Sequence, residues 1–436
     1  MNLIGNINAI PFRRFRGGGG VSPIPPFPSI SGITARYSAL GLTNEQMAAN
    51  PVWVDKTGNG HDLQMKNFAW KEGSGISDVY LGALVFDGVD DCGVCDNFPI
   101  LTKEKGYTVV ALRQWDQDFL NTTLTGGLLS TRNYSTGEGV AFEKIESSRK
   151  GYWNLGAGGI IDFAKSPFTW QTSKQYNNVG ILKGGKNHGK PLCVGCGLSG
   201  GQQCGRFAIW ELVILDHDAT EEELAKIKDY FVKTYPWLFP DQAWTVTGKT
   251  NEDEDRATIA NITGNGNNLV LSNFGFAEGS GYNEEGEYAG YLVTDGVDDK
   301  ITSSTFEMGN DWTVIGDWEL INTGKKDNAG IVKFDSIVIY NYNPILINIK
   351  NGRNNLIPDQ NTVNAICSDG RIYSKDWKES IYNEETESTS KNLLTIGYSG
   401  NSYTKIAFKN LAIYPTVLSK EDCIKAYNYL QTLKAK

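Results

Sequence analysis

The feature that most constrains this chain is that it repeats itself. Thr57-Gly58-Asn59-Gly60-His61-Asp62-Leu63 is followed by Asn67-Phe68 and then Glu72-Gly73-Ser74-Gly75. The same marks return as Thr263-Gly264-Asn265-Gly266-Asn267-Asn268-Leu269, Asn273-Phe274 and Glu278-Gly279-Ser280-Gly281. The spacing stays at about 206 residues through this block, the signature of two copies of one structural unit. Asp87-Gly88-Val89-Asp90-Asp91 reappears as Asp295-Gly296-Val297-Asp298-Asp299, and Gly41 to Glu45 has its counterpart in Gly248 to Glu252. Late in each copy, Leu192 to Gly195 matches Leu394 to Gly397, and Phe207 to Leu215 matches Ile406 to Tyr414. The small drift in spacing is what loop insertions between fixed strands produce.

The repeat sets the boundaries: an N-terminal arm over residues 1–30, a first domain over 31–238 and a second over 241–436. The connector, Tyr235-Pro236-Trp237-Leu238-Phe239-Pro240, has two prolines and no Gly/Ser run, so the domains are expected to abut rather than swing. Within each copy, short β-rich runs such as Tyr107–Leu112, Ile331–Phe334, Ser336–Tyr340 and Ile345–Ile349 are separated by Gly, Asn and Asp turns. Only the last segment of each copy reads as a helix, opened by Thr220 or Ser419 with an acid three places on. The expected class is all-β: two tandem antiparallel β-sandwich (jelly-roll) domains, each closing with a short helix, after an irregular arm.

Those marks resemble a known superfamily. Asp55 to Leu63, Phe86 to Asp91, Leu192 to Gly195 and Phe207 to Leu215 are similar to the series found in concanavalin A-like, laminin G-like jelly rolls. The second copy departs from it at Asn261, in place of the first Asp, and at Thr294, in place of the Phe. The beginning of the chain, with its glycine run and Pro-rich strip, also resembles head or tail fibre proteins of phages of gut Bacteroidales, the crAss-like group included. That resemblance implies a virion location after assembly in a host cytoplasm, a homo-oligomer with a trimer as its expected state, and contact with host glycans.

Composition narrows the partners. With 41 Lys+Arg against 50 Asp+Glu and a net charge of −9, broad attraction to nucleic acid or anionic membrane is not expected. No run approaches the roughly 18 apolar residues of a membrane span, so no membrane insertion is expected. Arg13, Arg14 and Arg16 follow the first apolar stretch, the reverse of a secretory signal, which points to synthesis in a cytoplasm. Seven cysteines without a regular framework read as free thiols.

Catalytic and metal chemistry is weighed residue by residue. A glycosidase needs two carboxylates flanking the bond, yet the acid clusters Glu252–Asp255, Glu284–Glu287 and Glu384–Glu387 sit in polar, turn-like surroundings. Asp87, Asp90, Asp91 and their copies could offer oxygens to calcium, but Asp-Gly is equally a turn signal. Cys92-x-x-Cys95 and Cys193-x-x-Cys196 have the form of zinc half-sites, while the second copy puts Lys300, Ser303, Thr395 and Tyr398 there. His61, His188 and His217 are the only histidines, Gly17–Gly20 lacks the Lys-Ser/Thr of a phosphate loop, and Trp153, Trp170, Tyr176 and Trp377 read first as packing. No catalytic residue, cofactor or metal ligand is assigned, and the chain is read as a non-enzyme.

The residues singled out are in the arm. Phe12, Arg13, Arg14, Phe15 and Arg16 interleave charge and aromatic surface on an otherwise acidic protein. Glycines and then Pro23-Ile24-Pro25-Pro26-Phe27-Pro28 follow, a composition that cannot bury its apolar groups against itself. The arm is therefore expected to dock on another virion protein of the capsid or tail. A bacterial carbohydrate-binding protein and a glycoside hydrolase are the alternative readings.

Overall fold

The computed structural model describes residues 24–101, 106–120, 122, 124, 126–131, 141–145, 150–153, 159–161, 179–183, 191–198, 202–264, 266–321, 330–334, 337–340, 345–349, 353–357, 363–381, 393–399 and 402–435. The protein is all-β, built from two antiparallel sandwiches whose sheets follow one plan. In the first, a sheet runs Val179–Lys183, Thr108–Trp115, Arg206–Leu215, Ala83–Asp87, Gly75–Ser77, and Ile33–Ser38 pairs with the far part of Arg206–Leu215. In the second, Ile406–Tyr414 takes the same central place. Thr313–Leu320 lies along one side of it, and Tyr291–Val293 and Gln242–Thr245 share the other.

The facing sheets match as well. The order Lys150–Trp153, Ala141–Ile145, Gly126–Ser130, Leu192–Val194, Cys92–Cys95, Leu63–Lys66, Val52–Trp53 is reproduced in the second half. There it reads Ile345–Ile349, Ile337–Tyr340, Gly330–Phe334, Thr395–Ile396, Lys300–Ser303, Leu269–Ser272, Thr258–Ile259. Among the described residues, strand pairing is antiparallel apart from one parallel bridge, Cys204 to Gly127.

The central strands are buried on both faces, which is why they read as unbroken apolar runs. In Thr108–Trp115, Val109 and Ala111 point into the sandwich core while Val110 and Leu112 point out of it into a second apolar layer. Arg206–Leu215 alternates likewise, but its register slips between Ile209 and Glu211. A bulge of this kind lets two consecutive residues face one side, and here Trp210 and Glu211 both face outward. The second half repeats the slip, at Asp317/Trp318 opposite Lys409.

Helices α3 (Glu221–Thr234) and α4 (Lys420–Gln431) close the two repeats where expected, capped by Thr220 and Ser419. Each is tied to its central sheet by a buried threonine. Thr108 Oγ1 donates to the His217 carbonyl (2.9 Å) and accepts from Ala219 N (2.8 Å); Thr313 does the same with Thr416 and Leu418. The expectation that only terminal segments are helical needs correction, since α1 (Asn44–Ala49) and α2 (Gln117–Leu120) also form. A capping box of Thr43 with Gln46 opens α1, and the Asn44 amide bonds both backbone groups of Ile76.

The second apolar layer belongs to both halves. Leu224, Ile227 and Phe231 of α3, Tyr235, Trp237 and Leu238 of the connector, Ala243, Ile315 and Ala412 of the second sandwich, and Ala426 and Leu430 of α4 are buried in one cluster. Tyr414 donates its hydroxyl to the Trp237 carbonyl (3.0 Å), and the Lys425 ammonium lies 4.3 Å from the Trp237 ring centroid.

Candidate functional site

Phe12, Arg13, Arg14, Phe15 and Arg16 lie outside the described residues, as does Gly17–Gly20. Of residues 24–30, assigned to the arm by composition, Phe27 and Ile30 pack against the first sandwich. Half-buried Phe27 meets the Tyr230 ring of α3 edge-on at 4.9 Å, and the Arg36 guanidinium sits 4.1 Å from the Phe27 centroid. Beneath this stack Arg36 makes a two-pronged ion pair with fully buried Glu211, both contacts at 3.2 Å. Tyr235 (2.8 Å) and Tyr230 (3.4 Å) also donate to Glu211. Burial pushes the Glu211 carboxyl up, and the Arg36 charge opposes that. Phe27 thus covers a charged pair that the bulge turned outward.

The chain then passes through Gly32 (φ 75°), where a side chain would collide with Asp216 and His217. Two clefts of about 370 and 330 Å³ adjoin this point and share Gly32, Ile33 and Asn59. Leu101 and exposed Ile100 line one; Phe27, Arg36 and Lys56 line the other. His217 bridges Asp216 (3.1 Å) and Glu223 (3.2 Å). Burial opposes its charge, but the two carboxylates outweigh that and hold its pKa above the ordinary histidine value.

The repeated motifs serve the fold. Asp55 accepts from Arg36 N (3.0 Å), Thr57 N (3.0 Å), the Thr57 hydroxyl (2.8 Å) and His61 N (3.3 Å), pinning the Thr57–Gly60 loop to the first strand. Asn261 repeats this with Ala243 N and Thr263, so losing the charge leaves the staple intact. Asp87 and Asp295 accept backbone N–H groups from Val89 and Val297 (2.7 Å each). Asp91 and Asp299 accept from Asp87 N (3.0 Å) and Asp295 N (2.7 Å), and from Ser74 (3.0 Å) and Ser280 (3.1 Å). Burial raises Asp91 to about 7 and Asp299 to about 6. Each triad brings one carboxylate oxygen per residue within 4.8 Å of the others, and the turn reading accounts for the bonds they make.

Among the acid clusters, Asp253 caps Thr250 (2.9 Å) and Asp255 pairs with Lys249 (2.7 Å), while Glu284, Glu285 and Glu287 are exposed. Glu384–Glu387, His188, Trp170 and Tyr176 lie outside the described residues, and only the backbone of Trp153 is described. Trp377 packs between Tyr373 and Tyr427, as a packing aromatic should.

The cysteines depart from expectation. Cys196 and Cys204 face each other across a hairpin and form a disulfide, which corrects the reading of all seven as free thiols. Sequence pattern could not supply this, because Cys204 belongs to no x-x pair and the hairpin register brings it opposite Cys196. At the corresponding corner of the second half, Tyr398 stands opposite Tyr403 with ring centroids 5.0 Å apart, and the Lys300 ammonium lies 4.7 Å from the Tyr398 ring.

No family profile and no curated protein matches the chain. Among solved structures it is similar to a Trypanosoma rangeli sialidase, with 7% identity and a TM-score of 0.33 over 52% of this chain and 40% of the sialidase. It is also similar to the ligand-binding domain of Botulinum neurotoxin serotype D in complex with N-acetylneuraminic acid, with 10% identity and a TM-score of 0.34 over 89% and 97%. The receptor-binding domain of Botulinum neurotoxin type G shows 11% identity and a TM-score of 0.29 over 43% and 50%. The chain spans about 40% of the length of the sialidase it resembles.

Proposed function

We propose that this chain is a non-enzymatic virion protein, a fibre or decoration element, held to the particle by its N-terminal arm while its jelly rolls project and contact host-surface glycans. The observation that carries this reading is the seat of residues 24–30. There Phe27 and Ile30 pack on the first sandwich, Phe27 stacked against Arg36 and Tyr230. The body behind it is two sandwiches sharing one buried layer. A rigid body with a basic, aromatic peptide rooted in it divides labour as an attached projection requires, since the peptide gains most by burial on a partner. Several arms in a homo-oligomer such as a trimer would multiply a weak contact through effective concentration.

For glycans, the half-exposed Tyr398 and Tyr403 beside Lys300 offer ring faces and a cation on one corner of the second sandwich. Aromatic faces supply apolar area with a polar tip, the kind of surface on which a sugar ring can lie. The test is mass spectrometry and antibody labelling of purified particles. The chain is expected in the particle at a fixed copy number. Its absence from particles, with recovery as a free polysaccharide-binding protein, would replace this reading.

A further inference from the structure

Four cysteines meet in one buried pocket of the first sandwich. Cys92, Cys193, Cys196 and Cys204 are each 5% exposed or less and cluster with Val94 alone. Cys92 lies on the strand that pairs with Leu192–Val194, diagonal to Cys193, and the two thiols are hydrogen-bonded. In the second sandwich, Cys367 ends the strand Val363–Cys367 and is buried in one cluster with Cys423 of α4, the two thiols hydrogen-bonded. The Thr313 hydroxyl oxygen lies 3.7 Å from the same Cys367 sulfur. Only Cys95 has no cysteine neighbour; its thiol bonds Asn97 (3.0 Å).

The repeat says what this corner needs. Where the first half has Cys196 opposite Cys204 with Cys92 alongside, the second has Tyr398 opposite Tyr403 with Lys300 alongside. One copy holds its terminal hairpin by ring and cation contacts, the other by sulfur. The fit around the sulfur corner is close: a side chain at Gly127 would collide with the backbone of Gly197.

We propose that Cys92–Cys193 and Cys367–Cys423 are disulfide-forming pairs. The oxidised chain then carries three disulfides, with Cys95 as its single thiol. The co-reactant is a small-molecule disulfide such as oxidised glutathione. One cysteine thiolate attacks it, forming a mixed disulfide and releasing one glutathione thiolate. The partner thiolate then attacks the protein sulfur of that mixed disulfide and releases the second, so two protein thiols become one disulfide and one oxidised glutathione becomes two reduced. The Cys92–Cys193 link closes a loop of about 100 residues, the class in which a cross-link restricts the unfolded chain most. A protein so linked suits an oxidising medium outside the cell.

The test is a thiol count on the full chain. Protein purified with reductant is denatured, refolded in a glutathione redox buffer, quenched in acid and alkylated with N-ethylmaleimide under denaturing conditions. Intact mass should show one alkylated thiol, and peptide mapping should find Cys92–Cys193, Cys196–Cys204 and Cys367–Cys423. The double variant C92A/C193A should also show one thiol but a smaller rise in Tm on oxidation than the parent. Five or more thiols remaining in refolded parent, links scrambled to Cys95, or about one zinc per chain released on thiol modification would each overturn the proposal.

Discussion

At the scale of single residues, the buried ion pair under the arm root and the two aspartate turns make opposite demands. Glu211 has no access to solvent, so removing Arg36 leaves a buried carboxylate without its counter-charge. Such a loss costs about 3–5 kcal/mol, whereas replacing both partners by apolar groups of similar size can be close to neutral. Chemical denaturation should therefore find R36A severely destabilised and the double variant R36M/E211M far less so. Asp91 works the other way. Its folded pKa, about 7, lies above the ordinary carboxylate value, so its contribution is complete at low pH and is lost as pH rises through 7. Asp299 follows the same sign near pH 6. In D91N this contribution is absent, so the stability gap between wild type and D91N should shift by a few kcal/mol against wild type between pH 4 and pH 8. A gap that stays constant across that range would show that Asp91 does not titrate there.

At the scale of elements, the repeat made most of the architecture legible. The strand Ile345–Ile349 and both closing helices stand where the pattern put them, and Tyr107–Leu112 is the front of a strand that runs on to Trp115. The strand continues because Arg113 and Gln114 are buried, which polar side chains in a sequence argue against. What the chain concealed was pairing between distant positions. Arg36 meets Glu211 across 175 residues, and Cys196 meets Cys204 only because a hairpin register places them opposite. Local pattern carries no information on either. The duplicated threonine tether gives this scale its test. Thr108→Val and Thr313→Val each leave a buried N–H and a carbonyl without the hydroxyl between them, at a cost of about 2 kcal/mol or more. Urea denaturation should show similar losses for both variants. A large cost in one half only would mean that the two tethers are not equivalent.

At the scale of the molecule, the two sandwiches share an apolar layer that includes both closing helices and the connector. Motion of one half against the other would expose Trp237 and Leu238, so the body should act as one rigid unit. In the proposed function the outside contact falls to the arm, of which Phe27 is seated against Arg36. The most direct test removes residues 1–23 and leaves the seated segment from Ile24 onward in place. Tagged full-length and truncated chains are mixed with particles lacking the native protein and sedimented together. The account predicts that the truncated chain keeps the Tm of the full chain and stays in the supernatant while the full chain pellets. Undiminished co-sedimentation of the truncated chain would place attachment in the jelly rolls and contradict the account.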